Sequence, residues 1–575
     1  MLVIGVFKYL ERAIAFREAD LDKIRNSPSN SLENQRDSLR IQPSGEGTEL
    51  VDEQALLLAH ELLHITRGAF ADYSVHEDPF QNDNNLKEIF TIRDSSGWKN
   101  MCKVVEMEVS LMYDIIYTKA ALAHTWIGYF VRVASPIATT ATAFLFWLSY
   151  NKDGQRTADV VITYALLIVT ILLDVRWLLR AAASTWTYAF LNSMPECWLH
   201  HEVLCTGRWR QLRLAVMALD MREWLLHKGR CGSYRLWSGT IGQYNLFDKC
   251  TDGDTNVSLI SKAVKKVVAD DTWIEYNYSK DLDLHKEHRV NEWLFWRIER
   301  AFDFESLKRD TDDRNKAVRP LDEALGFLPE LQELILILHI ATNIFLWYNH
   351  QELMEGRNVE TIKAVSNYLV FLAVARPDML PGLKLRSDFD LTRDALDKIW
   401  GRKGGSSPGS TGRQQKLAGI LIEMKDSTLY KENLILSDAT KFAKMLQKCK
   451  NGLVKEYWKK SIVRESRKKF LFMIPEMAEW IHSIEEKEKE GSAHSISMNT
   501  LLNSILDSWV RMLIYVSTRC GRDSHAKQLG RGGELTTIVW MLRDHAAIFG
   551  NKGRERKARF AAGMMPEHAV LSFVL

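Results

Sequence analysis

The sequence lacks the glycine-rich motifs that hold nucleotide phosphates. Neither a Walker A motif nor a GxGxxG motif occurs among its 575 residues. The nearest stretch, GRGG at 530–533, has neither the lysine nor the preceding strand that a phosphate-binding loop requires. These motifs therefore give no indication of a nucleotide cofactor.

Paired cysteines are also absent. The seven cysteines are scattered, odd in number and without a CxxC pair, which indicates a reducing compartment and not a disulfide framework. The net charge of +3 is too small to predict a nucleic-acid-binding face, so we expect no nucleic-acid partner. The N-terminal stretch MLVIGVFKYLERAIAF has no basic n-region and does not predict a signal peptide.

Charged residues are scarce between residues 121 and 195, where only eight occur. Two apolar stretches lie there, at 127–150 and 158–175, joined by the short sequence NKDGQRT. A helix needs about 20 apolar residues to cross a bilayer, and tryptophans flank both stretches, as at membrane interfaces. The pattern predicts a short transmembrane helical hairpin, and the alternative is a helix pair buried in a soluble core. A third stretch, at 181–195, is less apolar because it contains the polar and aromatic sequence STWTY. It is expected to lie at the membrane interface.

The remaining sequence predicts a mainly α-helical fold, with a helical cytoplasmic region after the hairpin. Helical patterns begin at Asp52 and cover about residues 101–123, and a long uncharged run at 331–350 predicts a central core helix. The predicted domains are an N-terminal helix with a flexible linker (1–54), a membrane-associated helical domain (55–199), a helical domain (200–402), a linker (403–413), a C-terminal helical domain (414–550) and a basic tail (551–575).

The motif HELLH matches the short signature of zinc-dependent hydrolases. Two histidines four residues apart share a helix face, so that His60 and His64 can bind one zinc ion while Glu61 acts as general base on a metal-bound water. Phe70 stands where the extended motif has a third ligand, and the same pattern fits an amphipathic helix. A second cluster, CWLHHEVLC at 197–205, is too compact for the two separated ligand pairs of a structural zinc site.

The stretch HAKQLGRGGELTTIVW predicts a turn followed by a helix. Its glycine pair permits a tight turn or a positive φ. A carboxylate directly after the pair is expected in the first helical turn, where the helix dipole favours it, and the preceding polar side chains are expected to bond freed backbone groups. The residues concerned are His525, Gln528, Arg531, Gly532, Gly533 and Glu534.

Several longer stretches resemble a known plant family. HAKQLGRGGELTTIVWMLRDH resembles the C-terminal signature of domain of unknown function 594. VVEMEVSLMYDIIYTKAALAHTWIGYFVRVASPIATTATAFLF, DVVITYALL and WSGTIGQYNLF resemble its usual partner, domain of unknown function 4220. ILHIATNIFLW and VSNYLVFLAVARPDMLPGL fit the segment that joins the two.

This resemblance implies a plant protein with a multi-span membrane region and a cytoplasmic helical C-terminal region, and it implies no reaction. The chain departs from the family in two places. Members typically begin with several more membrane helices, so the resemblance implies that this chain is shortened at its N-terminus, and MLRDHAAIF follows the VW pair where the family tends to continue with an apolar stretch.

The sequence thus predicts a membrane-anchored helical protein without catalytic activity or cofactor, acting through unidentified protein partners. The alternative is a zinc-dependent hydrolase that uses HELLH. A transporter is a weaker third hypothesis, because two or three spans do not enclose a path without oligomerisation.

Overall fold

The computed structural model shows an almost entirely helical protein, which confirms the predicted fold class. The residues that it describes contain seventeen α-helices, one short 3-10 turn and one antiparallel pair of two-residue strands. The described residues are 50–71, 95–118, 120, 124–149, 157–192, 208–218, 237, 239–251, 282–284, 286–312, 330–353, 356–382, 386–404, 410–450, 497–530 and 533–549, with isolated positions between 6 and 14.

Several predicted features lie outside these residues. They are most of the N-terminal helix and linker at 1–54, the CWLHHEVLC cluster, residues 405–409 of the 403–413 linker, Arg531, Gly532 and the basic tail at 551–575.

The chain forms two compact units. Unit one comprises Met1–Trp237, Ala526–Gly533 and Met541–Lys557. Unit two comprises Ser238–His525, Glu534–Trp540 and Ala558–Leu575. The domain boundaries drawn from the sequence stay predictions.

The helices of unit one begin before the apolar hairpin and continue after it. In chain order they are α1 (Asp52–Ala71), α2 (Ser95–Tyr117), α3 (Trp126–Ser149), α4 (Thr157–Ala182), α5 (Thr185–Asn192) and α6 (Arg208–Ala218).

Unit two contains most of the other helices and the strand pair. Its elements are β1 (Thr240–Ile241), α7 (Leu246–Thr251), β2 (Leu282–Asp283), α8 (His288–Asp312), α9 (Glu330–Tyr348), α10 (Arg357–Ala375), the 3-10 turn (Pro377–Met379), α11 (Arg386–Lys403), α12 (Ser410–Glu423), α13 (Asp426–Glu432), α14 (Leu434–Lys450) and α15 (Met498–Arg519). The last two helices, α16 (Arg522–Leu529) and α17 (Leu535–Phe549), contribute residues to both units.

Helices α1 and α2 pack along each other in unit one. Helix α1 begins at Asp52, as predicted, and this carboxylate in the first turn suits the helix dipole and lies 2.6 Å from Lys103 of α2. Leu58, Ala59 and Leu62 are buried at helical spacing on the packed face.

The second helix lies six residues before its predicted position, because it begins at Ser95 and ends at Tyr117. The hydroxyl of Thr118 donates to the Asp114 carbonyl at 2.6 Å and accepts from the Ala120 amide at 3.1 Å. Such side-chain bonds offer the backbone an alternative to the helix, so the regular helix stops there.

Helix α9 forms the centre of unit two, which confirms the core helix predicted at 331–350. It packs on α10, α12 and α14 and is buried nearly all round. The imidazole of His339 is fully buried and bonds the Ser366 hydroxyl at 2.8 Å. Burial lowers its pKa to about 3, so the ring is neutral.

The loop before α7 is tied into this core. The carboxamide oxygen of Asn245 accepts the Phe247 amide at 2.8 Å, while its NH₂ group donates to the Asn343 carboxamide oxygen at 3.1 Å. A side chain at Gly242 would place its Cβ 2.3 Å from the Phe371 ring, so only glycine fits there. These contacts explain why glycine stands at position 242 and asparagine at position 245.

Candidate membrane-binding site

Helices α3 and α4 pack on each other as a hairpin and expose apolar side chains around their remaining surface. At 24 and 26 residues they are long enough to cross about 30 Å of hydrocarbon. In the most apolar 18-residue window of α3, 17% of the residues are buried, and the buried residues of α4 are Asp174 and Ala181. The exposed large side chains are Trp126, Ile127, Phe130, Val133, Ile137, Phe144, Leu145, Trp147 and Leu148 on α3, and Val161, Ile162, Leu166, Ile168, Val169, Leu172, Leu173, Val175, Trp177 and Leu179 on α4.

Helix α4 is longer than the predicted stretch at 158–175, because it continues to Ala182. The predicted stretch ended next to Asp174, because fourteen uncharged residues reach the length of a span only with Asp159 and Asp174 at the membrane interfaces. In the structure the Asp174 carboxylate is buried and faces α3, where it accepts the Ser135 hydroxyl at 2.7 Å and lies 3.4 Å from the Thr139 hydroxyl. A carboxylate on the inner face does not interrupt the apolar outer face, so the helix extends further.

Aromatic side chains surround the end of the hairpin formed by the start of α3 and the end of α4, which we call the hairpin base. The rings of Trp126 and Phe190 lie 5.4 Å apart, edge to face. The Tyr129 hydroxyl bonds the Thr187 hydroxyl at 2.8 Å, which holds α5 against α3. Trp177 is exposed on α4 at the same end. Such amphipathic rings are typical of the level of lipid headgroups.

The HELLH motif lies on α1, whose packed face belongs to the core of unit one. His64 Nδ1 bonds the Glu61 carbonyl at 2.9 Å, one turn back on the same helix. The His60 ring meets Trp186 edge to face at 4.9 Å. Burial, and then the nearby His124, lower the pKa of His60 to about 3. Within the described ranges, no group of three His, Cys, Asp or Glu side chains comes together for a metal ion. The structure therefore gives the zinc-hydrolase hypothesis no support.

His525 of the C-terminal signature is a buried residue of unit two with both ring nitrogens bonded. Nε2 donates to the Ser517 carbonyl at 3.1 Å, and Nδ1 bonds the Thr537 hydroxyl at 2.9 Å. The ring stacks on Trp540 at 4.5 Å. Burial lowers the pKa of His525 to about 4, so the ring is neutral. Its contacts are thus one backbone carbonyl near the end of α15 and the side chains of Thr537 and Trp540.

Gly533 forms the turn before α17. Its φ of 84° is positive, and its amide donates to the Gln528 carbonyl at 3.0 Å. An added Cβ would lie 3.1 Å from Trp237 Cδ1, so space is limited as well. Gly533 thus forms a tight turn, as the sequence predicted for the glycine pair.

The sequence predicted Glu534 in the first helical turn. This prediction is wrong, because α17 begins at Leu535. Its carbonyl accepts the Thr537 amide at 3.0 Å, which makes it the residue that caps the helix. The side chain pairs with Arg376 and accepts the Tyr368 hydroxyl at 3.0 Å. The ion pair with Arg376, whose side chain is 12% exposed, stabilises this carboxylate more than the helix dipole would.

Unit one contains a buried cluster that the sequence did not predict. Glu108 of α2 accepts His545 Nε2 at 3.0 Å and the Thr66 hydroxyl, and all three side chains are buried. No spacing rule finds it, because Glu108 and His545 are 437 residues apart. An indirect signal in the sequence is the polar segment MLRDHAAIF, to which His545 belongs.

The fold and the hairpin together define an all-helical protein with a paired apolar surface that suits a membrane. Two family models match the chain: domain of unknown function DUF4220 over residues 1–250, and protein of unknown function DUF594 over residues 496–548. The chain is therefore similar to these two domains of unknown function over the matched residues. Neither the curated proteins nor the solved structures contain a match to it.

Proposed function

We propose that this chain is an integral membrane protein, anchored by α3 and α4, whose helical remainder acts through protein contacts and not through catalysis. The observation that carries the proposal is the exposure of apolar side chains along both helices of the hairpin. A contiguous apolar surface of this size is unfavourable in water. In a bilayer each exposed Leu, Ile, Phe or Val contributes about −0.3 to −0.6 kcal/mol, so the hairpin gains several kcal/mol by insertion.

The charges near the hairpin support one orientation. Four basic residues stand close in sequence to the ends of the hairpin, Lys119, Arg132, Arg176 and Arg180, whereas the connecting sequence contains two, Lys152 and Arg156. Basic residues in short flanking segments favour the cytoplasmic side. The proposal therefore has the hairpin base and the C-terminal region in the cytoplasm. Arg132 donates to the Gly128 carbonyl at 3.0 Å, back toward the base, in the direction of the headgroups.

Cysteine labelling tests this topology. Gly154→Cys marks the connecting sequence and Ser406→Cys marks the predicted linker. In sealed vesicles of known orientation, an impermeant maleimide is expected to label position 154 only from the non-cytoplasmic face and position 406 only from the cytoplasmic face. The parent chain, which has the seven native cysteines, gives the background labelling. Of these, Cys250 and Cys520 are buried, and burial raises their thiol pKa values, which slows their reaction. Labelling of both new cysteines from one side would overturn the hairpin.

The proposal that the protein is not catalytic is supported by the hydrogen bonds of His525 in the C-terminal signature and of His64 in HELLH. His525 bonds two packed groups, and His64 bonds its own helix. Zinc analysis of the purified protein tests this part directly. Stoichiometric zinc that is lost in His60→Ala, with the fold intact, would establish the hydrolase hypothesis instead. Proximity labelling in plant cells, the source that the family resemblance implies, would identify the protein partners.

A further inference from the structure

Helix α6 is fixed to the hairpin base by two side chains. The indole N–H of Trp209 donates to the Ala182 carbonyl at 3.1 Å, and Arg213 Nη1 donates to the Ala183 carbonyl at 3.0 Å. The ring of Trp209 also packs on Tyr188 of α5 at 4.5 Å. These bonds satisfy carbonyls that the end of α4 leaves free. Helix α6 therefore has a defined place beside the end of the second candidate span.

The opposite side of α6 is exposed and carries both charge and apolar surface. Arg208 and Arg210 are exposed, and so are Leu212 and Leu214, at 37% and 42%. A short helix that mixes arginine and leucine on its outer side is typical of segments at the level of lipid headgroups.

Two further arginines extend this surface onto the hairpin. Arg176 and Arg180 are exposed on the last turns of α4. Neither residues 176–182 nor residues 208–218 contain an aspartate or glutamate. Arg210 Nε lies 3.7 Å from the carboxylate of Glu53. That arginine is 63% exposed, so the ion pair is weak.

We propose that Arg176, Arg180, Arg208 and Arg210 form a binding surface for the headgroups of anionic phospholipids in the leaflet at the hairpin base. The inference rests on the proposed membrane anchoring and adds a lipid class to it. Guanidinium groups bind phosphate and carboxylate oxygens in a two-pronged geometry, which phosphatidylserine offers and a net-neutral headgroup offers less well. The exposed leucines of α6 contact the acyl-chain boundary beside these headgroups.

Lipid selectivity of the full-length protein in bilayers tests the proposal. The protein is reconstituted in phosphatidylcholine vesicles with spin-labelled phosphatidylserine or spin-labelled phosphatidylcholine, and the protein-associated fraction of each lipid is measured. The wild type is expected to prefer phosphatidylserine. Replacing all four arginines by glutamine is expected to abolish the preference, with a loss on the order of fivefold for each arginine that contacts the lipid. Salt at 1 M is expected to weaken it as well.

Two control variants separate charge from other effects. Arg208→Lys with Arg210→Lys retains the charge and is expected to retain most of the preference. Lys398→Gln with Lys403→Gln removes two exposed charges from α11 in unit two and is expected to change nothing.

Extraction with alkaline carbonate distinguishes failure of this inference from failure of the anchoring proposal. A protein that carbonate removes from the vesicles is not integral, and the anchoring proposal is then wrong. A protein that stays in the bilayer without preferring phosphatidylserine, or whose preference survives the loss of the four arginines, overturns the lipid-binding surface alone.

Discussion

The pair of Glu108 and His545 is expected to be an ion pair on which the stability of unit one depends. His545 Nδ1 faces the Met541 carbonyl at 2.8 Å, which only accepts, so Nδ1 bears a proton. Nε2 faces the Glu108 carboxylate at 3.0 Å. Burial alone would lower the pKa of His545, but the charge of Glu108 and these hydrogen bonds raise it above its ordinary value of 6.5. The imidazole therefore keeps its second proton to a higher pH than a free histidine does.

Removing one partner leaves the other charge buried. Glu108 is fully buried and His545 is 1% exposed. His545→Leu is therefore expected to destabilise the fold by about 3–5 kcal/mol, or roughly 10 °C in thermal midpoint. Glu108→Gln is expected to cost less, because a carboxamide still bonds the neutral imidazole and the Thr66 hydroxyl. The double variant Glu108→Leu, His545→Leu is expected to recover much of the loss, since no unpaired charge remains.

Thermal unfolding of the detergent-solubilised protein, followed by circular dichroism, measures these differences. A histidine whose pKa is raised in the fold stabilises fully below its unfolded pKa of 6.5, and this contribution is lost as the pH rises through the folded pKa. The wild-type midpoint is thus expected to fall with rising pH above about 6.5 relative to the double variant. Equal midpoints for His545→Leu and Glu108→Gln, without that pH trend, would refute the ion pair.

Three further substitutions test the other sites. Gly533→Val is expected to cost about 1–2 kcal/mol because a branched residue resists a positive φ, and thermal unfolding should show a smaller loss for Gly533→Asn. His525→Ala is expected to cost about 2–3 kcal/mol through a cavity and lost hydrogen bonds while zinc content and membrane integration stay unchanged; loss of a bound ligand at unchanged stability would contradict a structural role. Asp174→Leu is expected to lower the thermal midpoint by more than Asp174→Asn, which retains an acceptor for Ser135; equal effects would mean that this contact does not hold α3 and α4 together.

The sequence was sufficient to predict those features that depend on the composition of a whole segment. The hairpin followed from the scarcity of charge between residues 121 and 195, and the core helix α9 followed from its long uncharged run. The turn at Gly533 followed from the glycine pair, because few residues other than glycine adopt a positive φ. In each case the local chemistry limits the backbone before any tertiary contact forms.

The partners of single charged residues could not be predicted in this way. Asp174 and Glu534 were given the roles that their positions along a helix suggest, a membrane interface and a first helical turn. Their actual partners, Ser135 and Arg376, lie 39 and 158 residues away in sequence. The energetic advantage of a buried hydrogen-bonded partner exceeds that of a helix end, and only the tertiary structure supplies the partner.

Hydropathy by itself would also have ranked the candidate membrane helices wrongly. Helix α9 has a mean hydropathy of 1.4 in its best window, slightly above the 1.3 of α3, yet 83% of the α9 window is buried against 17% for α3. The difference lies in the polar side chains that each helix presents. His339 and Asn343 of α9 meet Ser366 and Asn245 inside unit two, and these bonds require neighbouring protein on several sides. The hydroxyl groups of Ser135, Thr139 and Thr140 on α3 bond their own helix or Asp174 of its partner helix, and the large side chains on the outer surface are mostly apolar. A helix whose polar groups are satisfied within the hairpin can face lipid, whereas one whose polar groups need other helices belongs in a protein core.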